Sequence, residues 1–175
     1  MNIFLYLVVL MTWGTTWYGV SLQVHSDVPT TISVAWRFLL AAGLLFIWAM
    51  IRGKSLRFPL AYHRNWLLIG LFLFCLNYIA VYEGNHYLPS GLVALIFSTI
   101  TIFVMFNGAL LFGKPIVART LLGSTIGVLG LGVVFSSEFG RLDMSHDLAW
   151  DMPLMKGFMW VLLATFIASL GMLTS

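Results

Sequence analysis

The chain has 175 residues, of which 61% are hydrophobic and only 9% charged, with a formal net charge of +3. A soluble domain carries about 25% charged residues, so this set cannot cover itself with a water-facing surface, and the lipid bilayer is its expected solvent. The charges sit in short loops rather than on one face or in a tail, which excludes nucleic acid as a partner.

A helix needs roughly 20 apolar residues to cross the hydrocarbon core, and six stretches qualify. The first runs from about Ile3 to Gln23. It starts apolar without a basic n-region or a small-residue cleavage site, so it reads as a span and not as a signal peptide. Thr12, Thr15 and Thr16 share one face of it, beside a stripe of Trp13 and Trp17. Such a face suits either a polar cavity that stacks an organic solute or close helix packing.

The second span runs from about Thr31 to Ile51, after a turn and N-cap at Pro29, Thr30 and Thr31. Arg37 is its one charge, roughly 9 Å below the outer boundary. It is expected to face a cavity or a partner, or to snorkel outward. Tyr78, Tyr82 and Glu83 are its candidate partners.

The third span, from about Trp66 to Tyr82, holds the lone Cys75 and the amide of Asn77. An amide in lipid needs partners, which turns Asn77 inward. Trp17, Arg37, Asn77 and Tyr78 are thus expected in one layer of the outer half. The fourth span, from about Leu88 to Phe112, starts at Pro89-Ser90-Gly91 and carries Ser98, Thr99 and Thr101 near mid-depth. These hydroxyls either line the cavity or bond back to their own helix.

The fifth span, from about Ile116 to Phe135, contains Gly123, Gly127, Gly130 and Gly132, read as a packing or dimerisation face. The sixth runs from about Leu154 to Ser175 with no charge after it. That ending suggests a truncated chain or one half of something larger. The whole is expected to be an all-α, polytopic transmembrane helix bundle of six spans. Strands would need only about 9–11 residues of alternating polarity, which these runs lack.

Basic residues set the expected orientation. Arg52, Lys54, Arg57 and Arg64 follow the second span, and Lys114 and Arg119 follow the fourth. The loops after spans one and three carry only Asp27 and Glu83. Lys and Arg stay on the cytoplasmic side, which places the N-terminus there too.

Chemistry other than transport finds no support. The spans contain no Ser/His/Asp set and no paired carboxylates, so no enzyme is expected. No glycine loop cradles phosphate, so neither a cofactor nor ATP is implied. A single cysteine cannot form an internal disulfide, and the spacing of His25, His63, His86 and His146 suggests no metal.

Several motifs resemble the EamA domain of the drug/metabolite transporter superfamily. They are Trp13-Gly14 with its following threonines, Trp36-Arg37-Phe38 before Ala41 and Ala42, and Tyr87-Leu88-Pro89-Ser90-Gly91-Leu92-Val93-Ala94. The glycines of the fifth span and Ala168-Ser169-Leu170-Gly171 complete the set. The resemblance implies residues 1–136 as a five-helix repeat, 137–153 as a periplasmic linker and 154–175 as the first helix of a second repeat. It also implies a gradient-driven carrier, often an exporter of amino acids or small metabolites, in a bacterial inner membrane. Two positions depart from the family: Thr101 stands where it often has a kinking proline, and Lys114 where it often has glutamate.

Trp13, Thr16, Trp17, Arg37, Asn77, Tyr78, Ser98 and Thr101 are the expected solute-lining residues. Inverted-repeat carriers place the site between repeats, so the chain is expected to pair with itself or with a second half-transporter. A non-transporting membrane protein that acts only by pairing is the alternative.

Overall fold

The computed structural model describes residues 3–25, 27–134, 136 and 153–174, and all its regular elements are helical. α1 is Ile3–Val24, α2 Thr30–Ile51 and α3 Leu60–Ile69. A π-helical segment, Gly70–Leu76, joins α3 to α4 (Asn77–Asn85) in one continuous rod. α5 is Ser90–Phe97, α6 Ile100–Phe112, α7 Ala118–Val134 and α8 Pro153–Leu173. Five of the resulting rods are long and apolar enough to cross a membrane. α7, of 17 residues, accounts for the remaining predicted span. The chain is a polytopic helical membrane bundle. Except for Pro153, the expected linker at 137–153 lies outside the described residues.

The third span is longer than the apolar pattern indicates. It runs from Leu60 to Asn85, 26 residues, or about 39 Å at an α-helical rise. That exceeds the roughly 30 Å hydrocarbon core. The helix therefore continues through His63, Arg64 and Asn65, which the sequence marks as loop. Trp66 anchors this end, with Phe58 and His63 centred 5.0 and 5.2 Å from its ring.

The fourth span is broken. α5 stops at Phe97 and α6 starts at Ile100. The Ser98 and Thr99 hydroxyls donate to the carbonyls of Leu95 and Ile96, at 2.6 and 2.7 Å. These local bonds compete with the backbone ladder. Thr101 stands where the resembled family often has proline, and the break falls two to three residues before it, at Ser98 and Thr99. At its far end α6 stops on Gly113, whose φ of 61° is left-handed, and the Lys114 amide donates to the Gly108 carbonyl at 3.1 Å. A glycine pays least for that conformation.

At the start of α2, Pro29 takes the N-cap position without a side-chain cap. The Thr30 hydroxyl instead meets His86 at 3.2 Å and ties α2 to the end of α4.

α8 lies at the centre of the packing, wedged against the third and fourth spans. Its buried face is Gly157, Val161, Ala164, Thr165, Ala168, Ser169 and Gly171. Small residues let helix backbones approach in lipid, where no hydrophobic force drives them together. A Cβ on Gly157 would stand 2.7 Å from Leu88 and Tyr87, and one on Gly171 would stand 2.9 Å from the Leu73 backbone nitrogen. By contrast, Gly123, Gly127, Gly130 and Gly132 on α7 have nothing within 4 Å. Among the described residues this face, expected to pack or dimerise, has no such neighbour, and the tight glycine contacts lie on α4 and α8.

α1 and α2 are most buried near the loop that joins them. Val20, Val24, Ser33 and Val34 are their buried residues, whereas every residue of 3–15 and 43–48 is exposed.

Candidate functional site

A cavity of 420 Å³ lies among the four N-terminal spans and the end of α8. α1 contributes Thr12, Trp13, Thr16, Trp17 and Val20. These recur every three to four residues and so line one helical face. Arg37 faces them from α2. The third span supplies Leu73 and Phe74 from its π segment, then Asn77, Tyr78 and Val81. Phe97 and Ile100 flank the break in the fourth span, and Met172 closes the wall from α8.

Six of the expected residues are thus brought together: Trp13, Thr16, Trp17, Arg37, Asn77 and Tyr78. Ser98 and Thr101 are not among the lining residues. Ser98 is turned back onto Leu95 at the helix break, and Thr101 is exposed on α6. The break itself sets their place, since it presents Phe97 and Ile100 to the cavity on either side of Ser98.

The wall is mainly aromatic. Trp17 meets Phe97 edge-on with ring centroids 5.4 Å apart, and Phe38 meets Tyr78 at 4.8 Å. The threonines are less polar than their number implies. Thr12 and Thr16 donate their hydroxyl protons to the carbonyls of Val8 and Thr12, at 2.7 and 2.8 Å. Only their acceptor lone pairs remain for a solute. Asn77 is 3% exposed and donates its amide to the Leu73 carbonyl at 3.1 Å. That carbonyl accepts only from the NH2 side, which fixes the amide's orientation. The Asn77 amide oxygen has no partner among the described residues.

Arg37 is the one charged group on the wall. Its guanidinium lies 5.1 Å from the Tyr78 ring centre and 5.9 Å from that of Phe38, within cation–π range. Its Nη1 donates to the Tyr82 hydroxyl at 3.5 Å. Tyr82 in turn donates to Gln23 at the end of α1. Of the expected partners, Tyr78 and Tyr82 meet Arg37. Glu83 makes no ion pair with it among the described residues.

Sequence reasoning missed Gln23, Phe97 and Met172. Gln23 stood at a span boundary and Phe97 in an unbroken apolar run. Met172 joined the wall through the docking of α8. The proximity of Phe97 to Ser98 and Thr99 was the one available signal. Among the described residues no group of His, Cys, Asp or Glu could hold a metal ion.

These features define a multi-pass membrane protein with a solute-sized aromatic cavity. The chain belongs to the EamA-like transporter family, whose profile it matches over residues 1–136. It is 30% identical over 142 residues to Protein PagO of Salmonella typhimurium, covering 81% of this chain and 46% of that one. It is 32% identical over 120 residues to YedA of Escherichia coli K12, named as an uncharacterized inner membrane transporter, covering 68% and 38%. A third relative, a probable amino-acid metabolite efflux pump of Salmonella typhimurium, is 25% identical over 168 residues, covering 96% and 51%. The chain spans about half the length of the curated relatives it matches. No solved structure matches it significantly. The family is described as transporters, and so are YedA and a relative from Buchnera aphidicola.

Proposed function

We propose that the chain forms a solute-binding half of a gradient-driven exporter of small metabolites in a bacterial inner membrane. Its N-terminus lies in the cytoplasm, and residues 1–136 form the first five-helix repeat. The 420 Å³ cavity carries this reading. It falls within the range of small-molecule sites, roughly 300–1,000 Å³. Trp13, Thr16, Trp17, Arg37, Asn77 and Tyr78 hold the solute there. One relative's name, amino-acid metabolite efflux pump, makes amino acids the first solutes to try. Carriers of this kind complete their pathway between two repeats, so a second copy or a second half covers the open side of α1 and α2.

The test is export from proteoliposomes that hold the full chain and are loaded with a radiolabelled amino-acid mixture, with an imposed proton gradient. Gradient-dependent efflux is expected, falling at least about tenfold in Trp17→Ala, the size of loss that removing a principal contact causes. Efflux equal to that of protein-free vesicles, from a folded chain with and without its cross-linked second copy, rejects transport. It would leave a pairing role that moves no solute.

A further inference from the structure

We infer that Arg37 makes this cavity selective for organic anions, with a carboxylate as the preferred head group and an aromatic or apolar body. The inference rests on the cavity being the solute site.

Arg37 lies seven residues into α2, about 10 Å along the helix. A guanidinium offers five N–H donors in a planar fork. Among the described residues only one finds an acceptor, the Tyr82 hydroxyl, at the 3.5 Å limit of a hydrogen bond. The rest of its surroundings are ring faces, those of Tyr78 and Phe38. These orient the cation without using its donors. A structural arginine in lipid takes a carboxylate or several carbonyls. Among the described residues this one takes neither, although Glu83 is one residue from Tyr82. The fork is held in place with its donors open.

The remaining wall agrees. Among the described residues no acidic side chain lines the cavity, so a cationic solute meets a like charge with nothing there to offset it. The aromatic rings of Trp17, Phe97 and Tyr78 supply the surface for a flat apolar body. A carboxylate matches the fork with two parallel bonds, which a neutral hydroxyl cannot make. Tyr82 is a weak competitor for the same fork. Because Tyr82 also donates to Gln23 on α1, an anion that captures Arg37 withdraws one of the polar links near the α1–α2 loop.

The test compares three ligands with one body: 3-phenylpropanoate, 3-phenylpropan-1-ol and 3-phenylpropylamine. Each is titrated calorimetrically at pH 7.4 into the full chain in lipid nanodiscs. The acid is expected to bind at least about tenfold tighter than the alcohol, and the amine to give no measurable heat. Arg37→Gln is expected to bring the acid down to the alcohol's affinity and so to abolish the preference for the acid. If that variant does not fold, Tyr82→Phe serves, since freeing the fork tightens the acid and not the alcohol. Equal binding of acid and alcohol to the wild type, both lost in Trp17→Ala, overturns the anion selectivity and leaves the cavity reading standing. Unaltered acid preference in Arg37→Gln, or unaltered acid affinity in Tyr82→Phe, overturns the role of Arg37. Absence of binding by all three overturns the cavity reading and this inference with it.

Discussion

Asn107 on α6 donates its side-chain amide to the Ser169 hydroxyl on α8 at 2.6 Å, and Ser169 passes its own proton to the Phe166 carbonyl at 2.6 Å. Both residues are buried, Ser169 completely. The bond has a direction, and the two ends are not equivalent. Losing Asn107 leaves Ser169 still bonded to Phe166. Losing Ser169 leaves the Asn107 amide without its acceptor.

That asymmetry predicts the order of two mutations. Ser169→Ala is expected to cost about 1–2 kcal/mol, the price of a buried unpaired amide. Asn107→Leu is expected to cost less, about 0.6 kcal/mol, typical of a side-chain bond between helices in lipid. Equilibrium unfolding in mixed micelles measures both. Equal costs would mean that the bond is not what joins α6 to α8.

The glycines separate in the same assay. Gly171→Ala drives a methyl toward the Leu73 backbone, which cannot step aside, and overpacking of this kind costs about 1–3 kcal/mol. Gly84→Ala meets a side-chain methyl of Val161 instead, so Val161→Ala should restore most of its loss. Gly127→Ala has open space around it and should be neutral or stabilise by up to about 1 kcal/mol, the helical preference for alanine. Destabilisation at Gly127 would show that a second chain covers α7.

Orientation is testable with single cysteines in a Cys75→Ser background. A cysteine at Arg57 should react only with reagent on the cytoplasmic side, and one at Asp27 only from the opposite side, because basic loops are retained in the cytoplasm. Labelling of both from one side refutes the alternating topology.

The aromatic wall should report on its own integrity. Trp17 and Phe97 are in edge contact, and such pairs contribute about 0.5–1.5 kcal/mol beyond their burial. A double-mutant cycle of Trp17→Leu and Phe97→Leu should return a coupling in that range. A coupling of zero would mean that the two rings do not meet in the membrane.

Five of the six expected spans and most of their ends were legible, because lipid demands long charge-free runs and α1, α2 and α8 contain little else. The extra length of the third span was not, since Arg64 reads as loop unless a helix is allowed to pass through the headgroups. Trp17, Arg37, Asn77 and Tyr78 could be placed in one layer because polar groups in lipid are few and must turn inward. The break before Ile100 was harder. Ser98 and Thr99 could have lined the cavity or bonded to their own helix, and only geometry decides between these. The docking of α8 was hidden for another reason. Gly157 and Gly171 resemble any small residues until Leu88 and the Leu73 backbone are set against them.

The π-helical stretch from Gly70 to Leu76 has a consequence for how the third span tolerates change in its length. A wide turn holds one residue more than an α-helix needs. Deleting exposed Cys75 lets the stretch relax to α-helix. The end from Leu60 to Trp66 would then swing by about 100°, the turn of one helical residue. Everything from Asn77 onward would keep its register against α8. One end of this rod can be re-aimed by a single codon while the other stays fixed.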